Sequence, residues 1–393
     1  MIVTIPGPTG GDDAPTINAA INQQSAAGGG DVVLTAGRYK VQSQIVVTNG
    51  VRLVGSGTTR FVVASPGSIA GGTIIEVNWG SGPGTSGNPA TAAIILRSGA
   101  SIDNLAFDYP SQTSNLTSPI EWGSTVLIGD VANGNLNQNI TNCYFYKSYF
   151  AIDARSSLGI GNLLVSDCNG CALVCGLAIS FVTDWVTIRD CHFNAGDVDP
   201  INPNNPLSTW TAQNGYAAYL GGNDWMALEG FKAWGYSAGC YIQAGAGYVG
   251  TGPYFLHGCD FDACWTGIIL QGTFNQIVRA MGCNFAAFRH TDNLRGAAVA
   301  VAPGINTANG GLQLIGNYVF GPSNNLIWAA QSPQTFNNVI ISNNICNVTP
   351  NGDTGVVIVG GDKIQIHANI LHNFNNPLSL VSCTNTESDG NQT

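Results

Sequence analysis

The chain has 393 residues and a formal net charge of −10, and only 9 % of it is charged, against about 25 % in an average soluble domain. Hydrophobic residues make up 44 %, which excludes a disordered chain, and the shortage of Glu, Lys and Arg excludes a coiled coil. The 13 Lys and Arg form no basic run, which argues against nucleic acid as a partner, and no apolar run reaches the roughly 18 residues of a membrane span.

Residues 1–10 show neither a basic n-region nor an apolar h-region, so synthesis without a secretory signal is the expectation. The first clear element is a helix over Asp12–Ser25. Asp12, Asp13 and Thr16 offer caps, Pro15 suits a first turn, and Ile17 and Ile21 are spaced for one face. Gly28-Gly29-Gly30 stops it, and short alternating runs follow at Asp31-Val32-Val33-Leu34, Gly37-Arg38-Tyr39 and Val51-Arg52-Leu53-Val54-Gly55-Ser56-Gly57.

This opening resembles that of pectate-lyase-like β-helix proteins, most of all the form found in bacteriophage tailspikes and related polysaccharide depolymerases. The resemblance implies a right-handed coil, a homotrimer and a place on a virion made in a host cytoplasm. It also implies host-surface polysaccharide and other virion proteins as partners, with residues 1–10 as a candidate virion anchor. Secretion is the alternative location. The family holds lyases, hydrolases, epimerases and non-enzymatic virion parts, so the fold does not fix an activity. The Asn-Thr-Asp, Asp-Asp, Gly-His-Gly and Arg-Ile-Lys series of polygalacturonases is missing. So are the Trp-Ile-Asp-His and Arg-x-Pro-x-x-Arg signatures of pectate lyases, and no catalytic residue carries over by motif.

Further along, one phrase recurs: apolar, polar, Asn/Asp/Gly, then Cys or Asn. It reads Ile140-Thr141-Asn142-Cys143, Ile188-Arg189-Asp190-Cys191, Leu256-His257-Gly258-Cys259 and Ala280-Met281-Gly282-Cys283, with looser copies at Leu105, Cys168, Phe231, Asn317, Asn344 and Asn369. Copies not separated by insertions are spaced about 25 residues apart. Strand-type alternation, as in Ile364-Gln365-Ile366-His367, breaks at turn residues into short strands. Such a unit is one coil of a parallel β-helix, whose apolar face is buried only by stacking.

The expected fold is therefore all-β, a single-stranded right-handed parallel β-helix over residues 11–382. The N-terminal helix plugs its open end, and residues 383–393 form a polar tail. The repeated Cys and Asn should form an inward ladder. Cys168, Cys171 and Cys175 with Cys191 and His192 have a thiolate-site spacing. Their ladder roles and apolar surroundings argue against it, so neither metal nor cofactor is expected.

Aligned coils place Arg189, Glu229 and His257 in one outward column and His192, Lys232 and Asp260 in another, as if on one wall. Paired acids and bases in a groove are what glycosidic-bond chemistry needs. Asp184 and Asp224 form a further column, in which Asp362 also falls. The candidate catalytic residues are Asp184, Asp224, Glu229, His257 and Asp260. The candidate substrate-binding residues are Arg189, His192, Lys232, Trp225 and Trp234. The same residues also fit ordinary cross-coil ion pairs, and the aspartates fit turn caps. The proline-rich insertion 195–215, with Trp210, is the longest loop and a natural binding edge.

The expected function is a tailspike-like virion protein that recognises host-surface polysaccharide, with depolymerisation by hydrolase or lyase chemistry as the open question. The alternatives are a virion decoration protein without catalysis and a free-standing polysaccharide lyase, hydrolase or epimerase.

Overall fold

The computed structural model describes residues 2–56, 62–65, 68–129, 137–155, 159–244, 252–288, 296–303, 305–306, 310–330 and 336–393. Gly57 and the first residue of the segment 1–10, named above, lie outside them. The chain divides into two compact units, Met1–Gly215 and Tyr216–Thr393.

In the first unit one wall is built from Ile2–Ile5, Gly30–Leu34, Val51–Gly55, Ser101–Asp103, Gln138–Thr141, Leu163–Ser166 and Val186–Arg189, each parallel to the next. A second wall stacks Gly37–Val41, Thr73–Val77, Ala106–Asp108, Tyr144–Ala154 and Asn169–Ile179 in the same sense. A third begins with Ile45–Val47, Ile94–Leu96 and Val126–Ile128. The second unit repeats the plan. Its first wall runs Met226–Glu229, Tyr254–His257, Ile277–Met281, Gly311–Ile315, Phe336–Ser342, Gly361–His367 and Thr384–Asp389. This is the parallel β-helix that the repeat predicts.

The recurring phrase is the corner between the first and second walls. Its third position has a left-handed backbone in each coil, as at Asn142 (φ 52), Asp190 (φ 52), Gly258 (φ 59) and Asn343 (φ 57). Gly, Asn and Asp adopt that conformation at least cost, which explains their recurrence. The fourth position turns inward. Cys143, Cys168 and Cys191 are buried in the first unit, and Cys259, Cys283, Asn317, Asn344 and Asn369 in the second.

Inside each unit like stacks on like. Phe107 and Phe145 lie parallel with centroids 5.2 Å apart, and Phe261 and Phe285 at 5.3 Å. Gly170 sits in register between Phe145 and Phe193, and a Cβ there would meet the Phe145 carbonyl oxygen at 2.1 Å. Only glycine fits where the ladder closes that tightly.

The helix spans Ala14–Ala26 and buries Ala14, Ile17, Ala20, Ile21 and Gln24. It starts later than predicted: Asp12 accepts from the Ala14 amide at 3.2 Å, while both aspartates also bond away from the helix. Asp13 accepts from the Thr9 and Lys40 amides at 2.7 and 2.9 Å, and Asp12 from the Gln42 amide and Ser43 hydroxyl at 2.9 and 2.8 Å. Asn18 bonds the Val46 amide and the Gln44 carbonyl. The helix is thus fastened by side chains to the backbone edge it covers.

Two segments set apart in the sequence belong to the walls. Ile2–Ile5 pairs with Gly30–Leu34, and Thr384–Asp389 continues the first wall of the second unit, so residues 383–393 are not a free tail. The last strand is polar and fully exposed, which hid it from an apolar-alternation reading.

Ten of the eleven cysteines are buried free thiols and Cys383 is partly exposed. Burial pushes the thiols of Cys168, Cys171 and Cys264 up, so they stay protonated and unreactive. A maleimide added to the folded protein is expected to label Cys383 alone, and all eleven after denaturation. Rapid native labelling at Cys143, Cys168 or Cys191 would contradict the inward ladder.

Candidate functional site

The outer face of the first wall in the second unit carries three outward columns. The corner glycines Gly230 (φ 62), Gly258 (φ 59), Gly282 (φ 61) and Gly316 (φ 63) end its strands in a common register, so equivalent side chains stack coil on coil. One column starts at the half-exposed Trp225 and takes in Ile277, Gly311, Asn338 and Lys363. The next holds Phe255, Arg279, Gln313, Ile340, Gln365 and Glu387. The third holds Glu229, His257, Met281, Ile315, Ser342, His367 and Asp389.

At one end of this face the Trp225 and Phe255 rings meet with centroids 4.9 Å apart. The Arg279 guanidinium lies over the Phe255 ring at 5.6 Å, and its Nε donates to the Gln313 Oε1 at 2.6 Å. Beyond them opens a groove of about 450 Å³ lined by Gln276, Ile277, Gly310, Gly311, Gln313, Asn338, Ile340, Lys363 and Gln365. Its walls offer amide donors and acceptors together with two isoleucines and one ammonium group. Asn338 is held in place by donating to the Gly310 carbonyl at 2.9 Å, and Gln365 donates to Glu387 at 3.4 Å.

Two acid–base pairs flank these columns. Glu229 and His257 are register partners and both are exposed. His367 and Asp389 are register partners whose Nδ1 and Oδ1 lie 2.5 Å apart, with Glu387 at 3.9 Å from the other ring nitrogen. A carboxylate that fixes an imidazole in this way suits it to general acid–base work.

The structure redistributes the predicted residues. Glu229 and His257 lie on the first wall, but Lys232 and Asp260 pair on the second. The columns that read as one wall straddle the corner at Gly230 and Gly258, so their side chains leave on different faces. On the second wall Trp234 pairs with Asp262. Desolvation, then the charge of Asp262, raises the Asp260 carboxyl above its ordinary value, and Lys232 opposes the shift. Arg189, His192 and Asp184 belong to the first unit and Asp224 to the second. Arg189 is half exposed with Asp190 at 3.9 Å. Asp184 and Asp224 are both exposed at strand entrances. Their column mate Asp362 accepts from Thr384 at 2.7 Å and Asn385 at 2.6 Å, and these hydrogen bonds hold its carboxyl below the ordinary range. These are side-chain bonds across to the neighbouring strand, since Asp362 lies within Gly361–His367 and pairs in register with Thr384.

Phe255, Arg279, Gln313, Lys363, Gln365 and the His367–Asp389 pair escaped the sequence reading. The signal was present in the outward slots of the alternating strands, in the column of Glu229 and His257 and in those two and four residues before it, but it required the register of every coil.

Residues 7–125 match the family model described as rhamnogalacturonase A/epimerase, pectate lyase-like. Among solved structures, the A-module of the Azotobacter vinelandii mannuronan C-5 epimerase AlgE6 is similar with a TM-score of 0.58 at 15 % identity. The match covers 97 % of this chain and 95 % of that one. A double-mutant tailspike protein of E. coli bacteriophage HK620, in complex with a pentasaccharide, is similar at 0.58 and 13 % identity, over 97 % of this chain and 76 % of that one. The AlgE4 A-module reaches 0.54 at 14 % identity, over 97 % and 93 %. No curated protein matches the sequence.

Proposed function

We propose that this chain, a pectate-lyase-like parallel β-helix, recognises a polysaccharide along the outer face of the first wall in its second unit. The observation that carries the reading is the run from Trp225 and Phe255 into the amide-lined groove. An exposed indole presents an apolar face to sugar C–H groups, and fixed amides meet hydroxyls in defined directions. Between Tyr254–His257 and Gly361–His367 each strand of the wall is hydrogen-bonded to a parallel neighbour on both edges, and such a fixed surface limits the ordering cost of binding. In this reading the glycan is a bacterial surface polysaccharide and the protein is tailspike-like, a homotrimer on a virion. The HK620 tailspike was solved with a pentasaccharide, which supports the ligand class.

A second reading, a free-standing polysaccharide lyase, hydrolase or epimerase, draws on the acid–base pairs Glu229–His257 and His367–Asp389 beside the groove. Solution mass and product analysis separate the two. A three-chain mass without cleavage supports the virion reading, whereas a one-chain mass with depolymerised or epimerised product supports the enzyme.

The direct test is a bacterial glycan panel. Trp225→Ala is expected to weaken the bound glycan about tenfold, the equivalent of about 1.4 kcal/mol, while Trp234→Ala on the second wall leaves affinity unchanged. Equal affinity of Trp225→Ala and wild type would remove the first wall as the binding face.

A further inference from the structure

The first unit carries two insertions that the coil stack does not need, residues 109–122 and 195–215. They are joined to each other. The Leu207 amide donates to the Ser114 carbonyl at 3.3 Å, and Leu116 packs against the buried cluster of Cys171, Leu173, Val198 and Leu207. Each is also braced internally. Gln112, fully buried, bonds both the amide and the carbonyl of Ile120 at 2.9 and 2.7 Å. Asn205, 1 % exposed, caps the helix Pro206–Asn214 by accepting from the Ser208 amide at 2.9 Å, and its own amide group holds the Asn202 carbonyl and the Ser208 hydroxyl.

Between the insertions lies a groove of about 360 Å³, lined by Thr117, Asn204, Pro206, Thr209, Trp210 and Gln213. That volume is near the lower end of the roughly 300–1,000 Å³ of small-ligand sites. The lining combines one indole, one proline ring and four uncharged hydrogen-bonding side chains. It contains no formal charge, so an anionic ligand would find no counter-charge there. A purely apolar ligand would cover amide and hydroxyl groups without satisfying them, which is costly. A neutral sugar matches both halves. Its C–H face covers the ring, and its hydroxyls exchange hydrogen bonds with Asn204, Thr209, Gln213 and Thr117.

We propose that this groove is a second carbohydrate subsite, one that takes a neutral hexose or N-acetylhexosamine unit. It does not rest on the wall site of the second unit, and different substitutions report on the two. Braced insertions explain why the chain keeps a proline-rich excursion on an otherwise regular coil: the excursion builds a preformed site.

The experiment is saturation-transfer NMR with titration on the full chain. The probes are neutral mono- and oligosaccharides of glucose, galactose and N-acetylglucosamine, with galacturonate oligomers as the charged comparison. Binding of a neutral sugar at millimolar concentration is expected, lost about tenfold in Trp210→Ala and several-fold in Gln213→Ala, and retained in Trp225→Ala. Gln213 is exposed, so its truncation leaves the fold intact and decides the matter if Trp210→Ala misfolds. Three results would each overturn the proposal: no neutral sugar binds, only galacturonate binds, or neutral binding is unchanged in Gln213→Ala and in a folded Trp210→Ala. Failure of Trp225→Ala to affect polysaccharide binding would bear on the wall site alone.

Discussion

Asn344→Ala is expected to destabilise the protein by about 3–5 kcal/mol, because two buried backbone groups lose their partners at once. The Asn344 side chain donates to the Leu314 carbonyl and to Asn369 Oδ1, both at 2.9 Å. Its own oxygen accepts from the Asn317 amide at 3.0 Å and from Asn317 Nδ2 at 2.9 Å. All three asparagines are 1 % exposed or less, so water cannot replace what is removed. Alanine leaves the Leu314 carbonyl and the Asn317 amide unsatisfied, and the cost of each is about 1–3 kcal/mol. Asn344→Cys separates this account from simple volume loss. Cysteine holds the equivalent position at Cys283, where its thiol lies 3.6 Å from the Leu256 carbonyl and 3.5 Å from that of Met281. Cysteine should therefore restore part of the loss. Chemical denaturation, or the thermal unfolding half-time if refolding fails, measures both variants. A cost below about 0.5 kcal/mol for Asn344→Ala would show that the ladder is not structural.

That ladder was legible in the sequence because two independent constraints fall on adjacent residues. A left-handed corner favours Gly, Asn or Asp, and the next position must be small or able to bond backbone inside the stack. Asn343-Asn344 and Asp190-Cys191 meet both demands and repeat. The face of the polar residues was not legible. Glu229 and Lys232 are three residues apart, yet the left-handed Gly230 between them sends one to each wall. An alignment of phrases cannot show that turn until the conformation of the corner residue is known. The helix Pro206–Asn214 was hidden for another reason, since it buries only Leu207, Ser208 and Thr211 and has no sustained apolar stripe. Its sequence signal was the cap, Asn205 followed by Pro206 at the first turn. The buried Lys147 had no signal at all. It is 1 % exposed, lies over the Tyr146 ring at 4.6 Å and has a left-handed backbone at φ 57. Beside it the insertion covers the same wall, where the Tyr146 hydroxyl donates to the Val198 carbonyl at 2.9 Å.

The same covering insertion makes stability depend on pH through Asp197. This residue lies in the short helical turn Ala195–Val198, and burial alone raises its carboxyl from 3.8 to about 6. The folded chain therefore keeps a proton on Asp197 at pH values where the unfolded chain has lost it. Folding is then favoured at low pH, and that contribution fades as pH rises from about 4 through about 6. At about 1.4 kcal/mol per pKa unit the full effect is close to 3 kcal/mol, and residual exposure of the carboxyl reduces it to about 2 kcal/mol. Asn at this position resembles the protonated acid and never ionises. Asp197→Asn is therefore expected to match wild type near pH 4 and to exceed it by about 2 kcal/mol at pH 8. Comparing the two proteins at each pH cancels every other titrating group, since those are common to both. Urea denaturation at the two pH values reads the difference. A gap that is the same at both, or a less stable Asp197→Asn at pH 8, would mean that the carboxylate finds compensation in the fold and that the insertion does not hold it out of water.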